Sequence, residues 1–359
     1  MPDWSRIHRQ KKWGPWTLPL GFCSAIYGIG VKMRLAAYKA GLFEGKPLPG
    51  FTVSVGNLTA GGTGKTPAVV LVAQWARDQG KTVSVLSRGY GAQGGQDVVV
   101  VSDGERICAD VPMAGDEPCL IARQVPGVSV IVSPSRFRAG IYAHERFGAD
   151  FFVLDDGFQH LALKRDLDLI LMDGAQPMGN GHLLPLGPLR EPVRQINRAD
   201  AVILTRAGNP SSVHKTLTWL EHRFPSMPVF CADHEPDRLI FPCSGEACEP
   251  GFLRDKRVVG FAGIAHPEYF EKTLGQLGAD VIEFKRFKDH YPFTAQDLEE
   301  LIHVKSAAGA HFLVTTEKDW MRLPCLGPAN ADLAYLSIRF RFLPGQDGVL
   351  RMIQDGLHR

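Results

Sequence analysis

The sequence predicts an α/β protein: a mainly parallel sheet domain that binds phosphate, joined by a short extended linker to a second, smaller α/β domain. Three observations carry this. Short apolar runs alternate with helical patterns between Phe51 and Leu204, the pattern of a parallel sheet covered on both faces. The first run leads into a glycine loop and then a helical pattern, the order that phosphate binding requires. A stretch rich in Pro, Cys and charge, Pro228–Pro250, then separates this region from a second alternation of strands and helices.

The first 40 residues stand apart. Arg6, His8, Arg9, Lys11 and Lys12 precede Trp13 and Trp16, Leu18–Val31 is nearly all apolar, and Lys32 and Arg34 follow. The apolar run is short for a spanning helix, which needs about 20 such residues. Tryptophans and lysines beside an apolar helix suit an interfacial anchor, and a helix packed on the protein's own core fits the pattern equally well. A nucleotide-binding domain directly after the run speaks against a secretory leader.

Strands are expected at Phe51–Val55, Thr82–Leu86, Asp97–Val101, Ser129–Val132, Phe151–Leu154, Leu167–Met172 and Ala201–Leu204. Helices are expected at Pro67–Asp78, Asp116–Gln124, Arg136–Glu145 and near Ser211–Phe224. Beyond the linker the order is strand Arg257–Ala262, helix Pro267–Leu277, strand Asp280–Phe284, helix Thr294–Ala307 and strand Phe312–Thr316. The expected division is an N-terminal helix region 1–40, a phosphate-binding domain 41–228, a linker 229–256 and a C-terminal domain 257–359.

Composition agrees with two domains. The chain has 359 residues, 45% hydrophobic and 22% charged, more than one compact core usually holds. With 40 basic and 38 acidic residues the net charge is +2, so no overall excess argues for nucleic acid. Seven scattered cysteines without a C-x-x-C pair suit a reducing compartment.

Gly61-Gly62-Thr63-Gly64-Lys65-Thr66 is the second half of a Walker A pattern, with Thr59 where its first Gly would stand and Ala60 next. Backbone N–H groups of such a loop converge on phosphate oxygens, Lys65 neutralises the outer phosphates and the Thr66 hydroxyl ligates magnesium. ATP and Mg2+ are therefore the expected cofactors. Dimeric switch ATPases place a lysine where this chain has Ala60, which argues against that class. Phe151–Leu154 runs into Asp155-Asp156, carboxylates at a buried strand end where a magnesium-binding acid belongs.

Ser54–Leu58 before the loop, Ser87-Arg88-Gly89-Tyr90-Gly91, Gly115-Asp116-Glu117-Pro118, Asp155-Asp156-Gly157-Phe158-Gln159-His160, Gly187-Pro188-Leu189-Arg190-Glu191, Asp289-His290 and Thr316-Glu317-Lys318-Asp319 together resemble the tetraacyldisaccharide 4'-kinase family of lipid A biosynthesis. The resemblance runs in order along nearly the whole chain, and the family shares the missing first glycine. It implies a P-loop kinase domain and a smaller α/β domain joined by a two-stranded linker. It further implies transfer of the γ-phosphate of ATP to the 4'-hydroxyl of an acylated glucosamine disaccharide 1-phosphate at the cytoplasmic face of the bacterial inner membrane, where the enzyme is peripheral. Neither nucleic acid nor an obligate protein partner is expected.

Carried over residue by residue, the resemblance implies Asp116 as catalytic base with His290 in support, beside Lys65. Asn57, Arg88, Arg136, Gln159, His160, Arg190 and Glu191 become candidates for the acceptor, and Thr66, Asp155 and Asp156 for the metal. Rival readings are a P-loop kinase or GTPase with a soluble acceptor, and a nucleotide-driven switch. A GTPase should carry an Asn/Thr-Lys-x-Asp motif, and Thr316–Asp319 has its order changed.

Overall fold

A computed structural model describes His8, Gly14 and residues 17–89, 97–208, 210–323, 332–345 and 347–358. Trp13, Trp16, Arg6, Arg9, Lys11 and Lys12, and also Tyr90 and Gly91, lie outside the described residues. Helix α1 (Thr17–Lys39) is continuous. It is long and apolar enough by length and composition to cross a membrane, yet only 6% of its apolar window is buried within the protein.

The first unit follows as β1 (Phe51–Asn57), α2 (Lys65–Asp78), β2 (Val83–Ser87), β3 (Val99–Asp103), α3 (Val111–Ala114), α4 (Asp116–Gln124), β4 (Ser129–Val132), α5 (Arg136–Phe147), β5 (Phe151–Asp155), β6 (Leu167–Asp173), β7 (Ala201–Thr205) and α6 (Pro210–Arg223). Strand β1 lies between β5 and β6, parallel to both. Because side chains alternate across a strand, Val153 enters the core on one face while Phe152 and Leu154 enter the core on the other. That two-sided burial is why these strands read as continuous apolar runs. The expected strand at Asp97–Val101 forms two residues later, as β3, and pairs antiparallel with β4 at the sheet edge.

The expected extended linker takes part in the sheet. Strand β8 (Val229–Phe241) starts parallel to β7 and continues antiparallel to β13 (Leu333–Phe342). Its charged residues fall on alternate positions and meet arginines across the pair: Arg339 bonds to Asp237, and Arg341 Nη1 to Glu235 Oε2 at 3.1 Å. Opposite charges facing each other across two strands stabilise the pairing, which explains why a composition resembling a linker adopts extended structure. Through β8 the described strands form one thirteen-stranded sheet.

The second unit contains β9 (Glu246–Cys248), β10 (Arg257–Ala262), α7 (Pro267–Gln276), β11 (Asp280–Arg286), α8 (Ala295–Ala307), β12 (Phe312–Thr316), α9 (Glu317–Trp320) and β13. Helix α10 (Gly348–Leu357) then leaves it: Val349 and Ile353, fully buried and four residues apart, join the core of the first unit. The segment 257–359, expected to be one domain, therefore divides between both units.

Candidate active site

The phosphate loop sits where β1 ends. Gly64 caps α2 in the left-handed region at φ 81° and makes no side-chain capping bond, so the first N–H groups of the helix point outward as an anion site. A side chain at Gly64 would also collide with the buried His234 imidazole of β8. The loop is braced from beneath: Asn57 Nδ2 donates to Thr63 Oγ1 at 3.0 Å, Thr205 Oγ1 to the Thr63 carbonyl at 3.1 Å and Arg206 Nη2 to the Gly62 carbonyl at 3.0 Å. Thr59 pairs with Leu189, and the Ala60 N–H donates to the Pro188 carbonyl at 2.7 Å. The Gly-Pro-Leu-Arg-Glu segment thus forms one wall of the loop, while Gly61 and Gly62 stay exposed and Lys65 and Thr66 half-buried.

Register places the acids. Val55 of β1 is opposite Asp155 of β5, so the carboxylate pair emerges beside the loop. Asp155 is buried; Ser87 Oγ donates to its Oδ2 at 3.0 Å, while Oδ1 has no partner. Burial, reinforced by the charges of Glu117 and Asp156, pushes its carboxyl above the usual range. Asp156 adopts φ 53°, rare for a residue with a side chain, and turns toward cations. Arg190 Nη1 lies 2.8 and 2.7 Å from its two oxygens and Lys65 Nζ 3.6 Å away. Burial pushes the Asp156 carboxyl up, but Lys65 and Arg190 hold it below its ordinary value.

Among the described residues no group of three or more His, Cys, Asp or Glu side chains converges to hold a metal unaided. Magnesium does not need one, since it keeps waters and takes one or two carboxylates together with substrate phosphates. The unpartnered, buried Asp155 Oδ1 beside the phosphate loop fits that requirement.

A second cluster crosses between the units. Asp116 begins α4, with Oδ1 accepting from the Glu117 N–H at 2.9 Å. His290, in the loop after β11 at φ 56°, places Nδ1 2.9 Å from Asp116 Oδ2. Arg322 Nε lies 3.4 Å from the same oxygen. Burial raises the Asp116 carboxyl, but the His290 hydrogen bond and the Lys318, His290 and Arg322 charges bring it down to about 2. Lys318 Nζ reaches Glu117 Oε1 at 2.9 Å and His290 Nε2 at 3.5 Å. Arg322 also holds Asp319 at 2.5 Å, and Asp319 accepts from the Gly263 N–H, which fixes α9.

The acceptor candidates divide. Arg88 is exposed, and Arg136 is buried with Nη2 3.3 Å from the Asp155 carbonyl. Gln159 Nε2 donates to the Asn57 carbonyl at 2.9 Å. His160 is driven down to about 4 by burial and by Arg136, Arg165, Arg34 and Arg88, so this corner carries concentrated positive charge. Asn57 and Glu191 are not placed to touch an acceptor. Asn57 is 0% and Glu191 2% exposed; the first braces the loop, and the second pairs with Arg198 at 2.7 Å. Burial turns the Asn57 amide nitrogen and the Glu191 carboxylate toward internal partners, while Asn57 Oδ1 is buried without one.

Helix α1 docks on the same corner. Ser24 Oγ donates to the Leu183 carbonyl at 2.9 Å, Tyr27 OH to the Arg190 carbonyl at 2.8 Å and Arg34 Nη2 to the Gln159 carbonyl at 2.7 Å. Its opposite face exposes Leu18, Phe22, Ile26, Ile29 and Met33, which excludes the core-helix alternative. Arg34, Lys318 and Arg322 join the site without a role that the sequence assigns them: Arg34 is one of several basic residues near the apolar run, Lys318 lies in the Thr316-Glu317-Lys318-Asp319 motif with no chemistry of its own attached, and Arg322 lies in no motif.

Comparison with known proteins bears on family and fold. A family model described as tetraacyldisaccharide-1-P 4'-kinase matches residues 16–358. A tetraacyldisaccharide 4'-kinase of Syntrophus aciditrophicus is 42% identical, over 98% of this chain and 97% of that protein. One of Geobacter metallireducens is 42% identical, over 85% of this chain and 88% of its own length. Among solved structures, LpxK from Aquifex aeolicus in complex with ATP is similar at a TM-score of 0.74 and 31% identity, over 95% of this chain and 98% of that one.

Proposed function

Because the chain belongs to the tetraacyldisaccharide-1-P 4'-kinase family, we propose that it moves the γ-phosphate of ATP to the 4'-hydroxyl of a tetraacyldisaccharide 1-phosphate in the cleft between its two units. It is a kinase of lipid A biosynthesis that uses ATP and magnesium. The observation that carries the assignment of chemistry within the cleft is the 2.9 Å contact between Asp116 of the first unit and His290 of the second.

The loop Thr59–Thr66 and the start of α2 bind the nucleotide phosphates, and Lys65 faces the β- and γ-oxygens. Thr66, Asp155 and Asp156 would hold magnesium, which when bound neutralises charge on the transferred phosphoryl group. Lys65 and Arg190, now paired with Asp156, are cations positioned to turn to phosphate. The 4'-oxygen attacks the γ-phosphorus, ADP departs with the bridging oxygen, and the hydroxyl proton passes to Asp116. A carboxylate with a value of about 2 is a weak base, but a loose phosphoryl transition state needs the hydroxyl oriented first and its proton taken late. His290 orients Asp116 and stabilises its charge. Arg88 and Arg136 supply the cationic corner for the acceptor's anionic groups, with Gln159 and the neutral His160 beside them as hydrogen-bonding groups.

An acylated acceptor resides in a bilayer. The apolar stripe of α1 faces lipid and sets the enzyme peripherally on the cytoplasmic face of the inner membrane, while the polar bonds on its other face keep it against the active-site loops. The assay that tests the reading mixes the protein, γ-labelled ATP, magnesium and the disaccharide 1-phosphate in detergent micelles. Label appearing at the 4'-position supports it; release of labelled phosphate without transfer would contradict it and favour a nucleotide switch.

A further inference from the structure

Lys318 has no assigned part in the chemistry, yet it occupies the junction of the catalytic cluster. It belongs to α9 of the second unit, and its ammonium lies between Glu117 of α4 at 2.9 Å and His290 Nε2 at 3.5 Å. Its side chain is 22% exposed and that of Glu117 32%. Burial would lower the lysine's value, but Glu117 and Asp116 together raise it, so it stays an ammonium. Neighbouring bonds hold α9 in place without Lys318: Thr316 Oγ1 caps it from the Asp319 N–H at 3.1 Å, and Gln124 Nε2 donates to Glu317 Oε2 at 2.6 Å.

An ammonium has three N–H donors and no acceptor. A ring nitrogen facing it must accept, and a neutral imidazole with one accepting nitrogen carries its proton on the other. We propose that Lys318 is a positioning residue that fixes His290 in the Nδ1–H tautomer, so that the imidazole donates to Asp116. The inference rests on the reading of Asp116 and His290 as the catalytic pair. Its consequence is a division of labour within one carboxylate. Asp116 Oδ2 is taken up by His290 and Arg322, whereas Oδ1, among the described residues, accepts only the Glu117 N–H and has a lone pair available for the acceptor's proton. Asp289 Oδ1 lies 3.9 Å from the same Nε2 and favours a proton there, so loss of Lys318 moves the balance toward the other tautomer, which would set an unprotonated Nδ1 against the carboxylate. Lys318 also ties the two units together through Glu117, so the tautomer is fixed only when they are closed.

The test combines nitrogen NMR of the histidine tautomers in the full chain with kinetics of Lys318→Met and Lys318→Arg. Wild-type protein should show His290 protonated at Nδ1, and Lys318→Met a mixture or the Nε2–H form. Turnover by Lys318→Met should fall by about 10- to 100-fold with KM for ATP within about threefold, and Lys318→Arg, which keeps the cation, should recover most of it. In a His290→Ala background, Lys318→Met should cost less than about a further threefold, because residues acting through one another are not additive. An Nε2–H tautomer in the wild type overturns the proposal whether or not any variant folds. Losses that multiply in the double variant, or an unchanged tautomer in Lys318→Met, also overturn it. Wild-type turnover in His290→Ala alone contradicts the catalytic-pair reading instead, and the tautomer measurement then still decides the claim about Lys318.

Discussion

Asp155 and Asp156 are adjacent, yet their surroundings push them in opposite directions. Asp155 is buried with Glu117 and Asp156 as charged neighbours, which favours its protonated form; Asp156 turns through φ 53° toward Lys65 and Arg190, which favour its charge. A dication beside the pair would supply the charge that Asp155 lacks. Glu317 shows the same physics at the seam between the units, where burial, opposed by the Gln124 hydrogen bond, pushes its carboxyl up to about 7 from 4.5. The folded state then binds a proton that the unfolded state has lost between pH 4.5 and 7, so stability falls as pH rises through that window. Glu317→Gln removes the titration and keeps the bond to Gln124. Its thermal midpoint relative to wild type should climb from pH 5 to pH 8, by an amount worth at most about 3 kcal/mol; a difference independent of pH would contradict this. At this scale the sequence shows Lys65, Thr66 and the acid pair clearly, because each belongs to a local pattern with its own chemistry. Lys318 and Glu117 are 201 positions apart, and nothing near either residue announces the other.

At the scale of elements, α1 is an amphipathic device of an unusual kind, polar in its contacts with the protein and apolar outward. Leu18, Phe22, Ile26, Ile29 and Met33 follow three- and four-residue spacing on one face. Burying each in lipid is worth about 1.5–3 kcal/mol, enough together for reversible docking. Phe22→Glu with Ile29→Glu should lower binding to anionic vesicles at least about tenfold in a sedimentation assay. The thermal midpoint should stay within a few degrees, since these side chains are 70% and 57% exposed. Undiminished binding would assign the stripe another role. The strands of the first unit are legible because both faces are buried and each becomes an apolar run. The β8 segment is not, because Pro236 and alternating acids read as a linker until the arginines of β13, about a hundred residues later, are set against them. Helix α10 follows a second-unit strand in sequence, and only its packing reveals that it belongs to the first core.

At the scale of the whole molecule, the proposed chemistry draws on both units. The phosphate loop, the acid pair and Asp116 come from the first, while His290, Lys318 and Arg322 come from the second. Strand β8 passes from one to the other beside the loop, with His234 against Gly64. On the proposed function, nucleotide and acceptor meet where the units close, and the base is incomplete in an open molecule. The most direct measurement is a single-turnover, rapid-quench comparison of wild type with Asp116→Asn and His290→Ala, with ATP affinity and folding measured for each. The account predicts ATP dissociation constants within a few-fold of wild type and transfer to the lipid slower by about 10²- to 10⁴-fold in both variants. Transfer within a few-fold of wild type in either variant would contradict it.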